Sequence, residues 1–313
     1  MHPLLFKIDS FQLFGLNIGP LKFSFYGLLM VIAVIVATYL SEREARRRGI
    51  DSRLVLDTAF WGVLGGLLGA KLLFILVNSG NYFDACFHPE LPNILNDRLP
   101  YSSPDCLAAL RFWEAGQVWY GGFIGALLFV FVLLKKRKAS FMELTDLMIP
   151  FMALGHAIGR IGCFMAGCCW GIPTTSPLGV QFPRGSMAYA QHVANNWIPA
   201  NASASLPVHA TQLYEAFGNL LIFAALLFLS RSGRASKKII FVYVFMYAIL
   251  RTVVEFFRGD HSRGLLVEWS YKIDMGEKSL NVLNGFSTSQ AISLAIAAAA
   301  LVFILRAKNK KSF

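Results

Sequence analysis

Arg160 stands among small and apolar residues in Gly155-His156-Ala157-Ile158-Gly159-Arg160-Ile161-Gly162. A guanidinium in such a place suits a phosphate, because its planar fork matches two phosphate oxygens at once. Glu215 opens a second apolar run, and Arg251 and Glu255 lie within a third. Residues four apart share one face of a helix, so Arg251 and Glu255 are placed to pair. That pair either holds helices together or serves chemistry. Ionisable groups inside apolar runs are costly, and they usually mark a functional site. His156 precedes Arg160 by four residues and Cys163 follows it by three, so all three share a face. His156 and His209 are the candidate proton acceptors. In isolation His156 also fits an interior, hydrogen-bonded histidine.

Five cysteines divide into two groups. Cys86 and Cys106 fall in one loop, where a structural bridge or two free thiols is expected and catalysis is not. Cys163, Cys168 and Cys169 cluster at the end of an apolar run. They are either small packing residues or reactive thiols. Zinc knuckles show Cys-x-x-Cys spacing, which this cluster lacks, so no metal site and no cofactor is expected. Gly62, Gly65, Gly66 and Gly69 lack the Gly-Lys-Ser/Thr ending of a phosphate loop, and close helix packing through small residues accounts for them. Lys71 on the same helix either reaches toward lipid headgroups, the favoured reading, or pairs with a buried carboxylate.

The elements that position these groups follow from composition. Hydrophobic residues make up 56% of the 313, charged residues 15%, and the mean hydropathy is +0.53. Soluble domains carry about a quarter charged residues, so this chain has more apolar side chain than one water-soluble core can bury. Several runs reach the roughly 20 apolar residues that cross a bilayer. The expected fold is an all-α integral membrane protein with about seven transmembrane helices and periplasmic loop elements, forming one polytopic domain over 1–313. The spans are expected near 21–40, 55–77, 118–134, 144–165, 211–229, 239–257 and 288–305. The fourth is interrupted by Gly and Pro, which membranes tolerate where backbone is buried or lines a wet cavity.

Charge orients these spans. Four segments, Arg43–Arg53, Lys135–Lys138, Arg231–Lys238 and Arg306–Lys311, hold more than half of the 29 Lys and Arg. With seven spans and the N-terminus outside, all four lie on one face, and the positive-inside rule makes that face cytoplasmic. The net charge of +11 then reads as topology and contact with anionic lipid. Nucleic acid is not an expected partner, since no basic stripe with interleaved aromatics occurs in a soluble-length segment. The long loops 78–117, 172–210 and 258–287 fall on the other face. The first span is too long for a signal-peptide core, and its basic cluster follows it, so it is expected to stay in the protein.

Several blocks together resemble the prolipoprotein diacylglyceryl transferase family. Gly159-Arg160-Ile161-Gly162-Cys163-Phe164, with Gly167 and Trp170-Gly171, is similar to its signature. Phe25-Tyr26-Gly27-Leu28, Tyr120-Gly121-Gly122-Phe123-Ile124-Gly125, His209-Ala210-Thr211-Gln212-Leu213-Tyr214-Glu215 and Arg251-Thr252-Val253-Val254-Glu255-Phe256-Phe257-Arg258 resemble further family segments, in family order. The resemblance implies a bacterial inner-membrane enzyme of seven spans, N-terminus periplasmic and C-terminus cytoplasmic. Its partners are phosphatidylglycerol, the lipid bilayer and the lipobox cysteine of a prolipoprotein signal peptide. The diacylglyceryl group moves to that thiol, glycerol phosphate leaves and a thioether forms.

Carried onto this chain, the resemblance implies that Arg160 binds the phosphate and Arg251 adds positive charge, oriented by Glu255. Tyr26 would hydrogen-bond the headgroup or glyceryl oxygen, and Gly171 would keep the backbone close to the ligand. Tyr120 stands where the family has His, Cys163 where it has Asn, and Ala166-Gly167-Cys168-Cys169 where it has an Asn-Gly-Glu stretch. A tyrosine of ordinary pKa near 10 is a poor base at neutral pH, so His156 or His209 would have to replace the imidazole. Two other readings compete. One is a paralogue with the same lipid site but a different acceptor or a cysteine-based step. The other is a non-enzymatic lipid-binding scaffold or transporter, which the lack of internal repeats disfavours.

Overall fold

The computed structural model describes residues 4–9, 11–13, 16–18, 21–87, 118–233, 237–259, 264–275 and 279–306. Helices occupy all seven places where spans are expected: α1 (Phe25–Arg47), α2 (Ser52–Val77), α4 (Trp119–Arg137), α5 (Phe141–Ala166), α7 (Thr211–Arg231), α8 (Ile239–Glu255) and α9 (Thr288–Arg306). Two shorter helices are α3 (Ser79–Phe87) and α6 (Met187–Ala194). Among the described residues five helices, α1, α2, α5, α7 and α9, are long and apolar enough to cross a membrane; α4 and the 17-residue α8 are not among them. Apolar side chains cover their outer surfaces, with Phe60 62% and Leu305 74% exposed. Contiguous apolar exposure on this scale suits contact with hydrocarbon.

The expectation of an all-α protein needs correction. Among the described residues six strands, β1 (Leu4–Ile8), β2 (Phe11–Leu13), β3 (Leu16–Ile18), β4 (Leu21–Ser24), β5 (Leu265–Asp274) and β6 (Ser279–Ser287), form three two-stranded sheets, β1–β4, β2–β3 and β5–β6. The antiparallel β5–β6 hairpin occupies what the sequence suggested was a plain loop, pairing Trp269 with Asn284 and Tyr271 with Val282. In β6, Leu280, Val282 and Asn284 are buried in alternation, as one covered sheet face requires.

By its contacts the chain divides into two compact units. One comprises 1–8, 22–50 and 142–313; the other comprises 9–21 and 51–141. In the second, α2 and α4 touch backbone to backbone. A Cβ on Gly69 would stand 2.3 Å from the Gly121 carbonyl oxygen, and one on Gly125 2.2 Å from that of Gly65. This is the close packing that the glycines of α2 suggested, and α4 supplies matching glycines. Arg137 bonds Asp57 at 2.6 Å across the same pair. Lys71 corrects its expectation. It is 2% exposed, and its ammonium lies 5.8 Å from the Phe74 ring centroid. Six residues separate it from the end of α2. At 1.5 Å per residue that is about 9 Å, beyond the reach of its stem.

In the larger unit α5 is the central helix. It packs Ile149 and Ala153 against Ile222 and Leu226 of α7 and Ile239 of α8. Small residues let α1 approach it, since a Cβ on Gly155 would stand 3.3 Å from the Ala33 carbonyl oxygen. α1 starts at Ser24, whose hydroxyl accepts the Gly27 amide at 3.1 Å. α8 has no side-chain cap of its own. Asp146 of α5 provides one, accepting the backbone amides of Ile239, at 3.2 Å, and of Lys237. Glu44, 4% exposed, ties the end of α1 to that of α7 through Arg231 at 2.9 Å and binds Arg48 at 3.0 Å.

Candidate active site

Helices α5, α7 and α8 bring their isolated polar residues together. Arg160 Nη2 lies 2.7 Å from Glu215 Oε1. The Tyr247 hydroxyl donates to the same oxygen at 3.1 Å, and His156 Nε2 stands 3.8 Å from it. The other nitrogen of His156 is 3.4 Å from the Tyr243 hydroxyl. Glu215 is 1% exposed, so its charge depends on these partners instead of water. Spacing produces the convergence: His156 and Arg160 lie one turn apart on α5, and Glu215 sits in the second turn of α7.

Arg251 and Glu255 form the expected pair on α8 at 2.5 Å, with Glu255 fully buried. Ser287, at the end of β6, donates to Glu255 at 3.1 Å. Gln290 locks that corner, accepting the Ser287 amide at 2.8 Å and donating to the Thr252 carbonyl at 3.2 Å. Arg251 Nη1 is buried with no hydrogen-bond partner among the described residues. A buried guanidinium nitrogen in that condition is a donor available to an anionic ligand. Tyr247 links the two ion pairs, lying within electrostatic range of both Arg160 and Arg251.

The remaining candidates fall into three groups. The Tyr26 ring packs on Gly162 and lies within electrostatic range of Arg160 and the three thiols. Cys163, Cys168 and Cys169 are free, with their sulfurs all within 4.8 Å of one another. Gly171 bridges two segments: its amide donates to the His209 carbonyl at 2.9 Å, and the Ile172 amide donates to that of Phe257 at 2.8 Å. A Cβ on Gly171 would stand 2.5 Å from the first oxygen and 2.6 Å from the second, so the close approach there is to the chain's own backbone. The His209 ring meets Tyr214, at 3.1 Å to its hydroxyl, and Phe257. Burial lowers the His209 pKa from 6.5 and favours neutral imidazole. Tyr120 lies in the first turn of α4, in the smaller unit, and is 66% exposed. Cys86 is disulfide-bonded; Cys106 lies outside the described residues.

Glu215 is visible in the sequence as a charge in an apolar run, but its role as the common partner is not, and the uncharged Tyr243 and Tyr247 do not stand out there. The signal for Tyr247 was its position one turn before Arg251 on the same face.

Long apolar helices around buried ion pairs define the class as an integral membrane protein with ionic groups inside its helical packing. The sequence profile described as prolipoprotein diacylglyceryl transferase matches residues 14–306, and the chain belongs to that family. It is 31% identical over 260 residues to the phosphatidylglycerol–prolipoprotein diacylglyceryl transferase of Clostridium tetani, covering 83% of this chain and 86% of the relative. It is 30% identical to that of Cupriavidus metallidurans, over 86% and 87% of the two chains. To that of Nitrosomonas europaea it is 31% identical, over 86% and 84%.

Proposed function

We propose that this protein transfers the diacylglyceryl group of phosphatidylglycerol to the lipobox cysteine thiol of a prolipoprotein. The observation that carries this reading is the pairing of Arg160–Glu215 with Arg251–Glu255 in a chain of this family. The reaction cleaves a phosphodiester at its glyceryl carbon. The leaving glycerol phosphate gains a negative charge as the bond breaks, and guanidinium groups held in a dry site favour that charge. Arg251 Nη1 offers one donor. Arg160 offers its forked face while Glu215, itself held by the Tyr247 hydroxyl, fixes its orientation. Tyr26 is the neighbour that would meet the headgroup or glyceryl oxygen.

The protein is further proposed to sit in the bacterial inner membrane with seven spans, N-terminus periplasmic and C-terminus cytoplasmic. The common face of the basic segments supports this orientation. Family membership argues against a scaffold or transporter. In membranes containing the protein, a lipobox peptide is expected to acquire a diacylglyceryl thioether. Arg160→Ala lowers the rate by about 100-fold or more. Wild-type protein, correctly inserted, that labels no peptide above background would overturn the reading.

A further inference from the structure

Cys163 closes the last turns of α5, and the chain then turns back so that Cys168 and Cys169 face it. Two residues make the turn: Gly167 at φ +70° and Cys169 at φ +60°. A left-handed conformation is ordinary for glycine. For a cysteine it is a strained one, and such strain collects at functional sites. The turn is pinned from α7. The Thr211 hydroxyl donates to the Cys169 carbonyl at 2.6 Å, and the Gln212 amide donates to the Cys168 carbonyl at 2.6 Å. Both side chains are 1% exposed, so the three thiols rest on a rigid base. Their sulfurs all lie within 4.8 Å of one another. A tetrahedral zinc with sulfur ligands at about 2.3 Å has sulfur–sulfur edges of about 3.8 Å, so an adjustment of up to about 1 Å closes the site.

We propose that Cys163, Cys168 and Cys169 form a three-thiolate site for a zinc-class cation, and that its open fourth position receives the acceptor thiol. The second half rests on the transferase reading above. An all-sulfur donor set selects soft d10 ions over calcium or magnesium. Three protein ligands leave a position open, as catalytic zinc sites do, where structural sites are closed by four. The site lies within electrostatic range of Arg160 and of Arg258, whose positive charges offset the excess negative charge of a three-thiolate complex.

The reaction needs its acceptor as thiolate, and a thiol bound to such a cation is deprotonated outright. His156 beside Arg160 is already engaged by Tyr243 and Glu215. In the proposed step the peptide S–H loses its proton to solvent as the sulfur binds. The sulfur then forms a bond to the glyceryl carbon as the carbon–oxygen bond to phosphate breaks. Glycerol phosphate leaves with that electron pair, the thioether sulfur leaves the fourth position, and nothing is oxidised or reduced. The Cys-x-x-Cys rule gave no hint of this site, because the turn through Gly167 and Cys169 replaces the usual knuckle.

The full-length protein in detergent micelles, with its thiols reduced, is titrated with Co(II) and read by absorbance. Equimolar binding with sulfur-to-cobalt charge-transfer bands is expected, with displacement by Zn(II). Cys163→Ser, Cys168→Ser or Cys169→Ser should weaken binding by about tenfold or more. Should a variant fail to fold, alkylation mapped by mass spectrometry on the wild type gives the same answer: Zn(II) protects these three thiols. A lipobox peptide should shift the cobalt bands, and its Cys→Ser version should not. Absence of sulfur–cobalt bands, a disulfide between two of the three in place of metal uptake, or bands blind to the cysteine peptide overturns the inference. Transfer at full rate after complete removal of metal also overturns it and leaves the transferase reading standing. Cobalt bands that respond to the peptide, with no diacylglyceryl product, support the thiol site and defeat the transferase reading instead.

Discussion

Glu215 gathers Arg160, Tyr247 and His156 around one carboxylate oxygen, so its substitutions are graded by what they strand. Glu215→Gln keeps the shape and removes the charge. Arg160, only 16% exposed in its side chain, then lacks a counter-charge, and a loss of roughly 3 kcal/mol is expected. Tyr247→Phe removes one hydrogen bond and costs about 1 kcal/mol. Thermal unfolding in micelles measures both, and the order of the two losses is the prediction. Ionisable residues in apolar runs were legible in the sequence because they are so costly there. Their partners were not. The contact of Arg160 with Glu215 depends on how α5 packs on α7, and local spacing holds no record of that.

His209 supplies a pH prediction of defined sign. Burial lowers its pKa in the folded protein below 6.5, while the unfolded chain keeps the ordinary value. Below that value the unfolded state binds the extra proton first. Stability is therefore fully present above about pH 6.5 and falls as the pH drops toward the folded pKa. The Tm of His209→Gln should depend less on pH over that window, and a Tm series across it checks the difference.

At the scale of elements, glycines decide how closely helices approach. Gly125→Ala puts a methyl group against the backbone of α2, and a loss of about 1–3 kcal/mol or more is expected. Gly80→Ala in α3 meets nothing within 4 Å and should be neutral or stabilising by up to about 1 kcal/mol. Unfolding of the two variants side by side separates helix contact from helix propensity. Helix positions were legible within a few residues, but ends were less so. The expected first span stops at residue 40, whereas α1 runs to Arg47, carried past the apolar run by the Glu42–Arg46 and Glu44–Arg48 pairs. The β5–β6 hairpin was missed because turn-forming residues around it suggested a loop. The alternation in Ser279–Ser287 was present and outweighed.

At the scale of the whole molecule, the proposed orientation rests on the placement of its basic segments. Reporter fusions give the test: a cytoplasm-dependent reporter after residue 306 and one in the 135–138 segment should both be active. A periplasm-dependent reporter in the 172–210 segment should be active as well. An even number of spans would instead put both termini on one side. Composition made the membrane legible, since no water-soluble core could take so much apolar side chain. The three cysteines were legible as neighbours in the sequence, but the convergence of their sulfurs was not, because it is set by two left-handed residues and by two side chains of α7.

The Gly171 bridge has a further consequence. The Gly171 amide is bonded to the segment leading into α7, while the Ile172 amide and the Gly259 amide, bonded to Trp170, tie in the segment leaving α8. The 170–172 segment lies between the other two and cannot peel away without breaking its bonds to both. In hydrogen–deuterium exchange these three amides should therefore open as a single cooperative unit, at one rate. Gly171→Ala, which places a methyl group against two carbonyl oxygens, should raise that shared rate while leaving amides in the middle of α2 and α4 as slow as before.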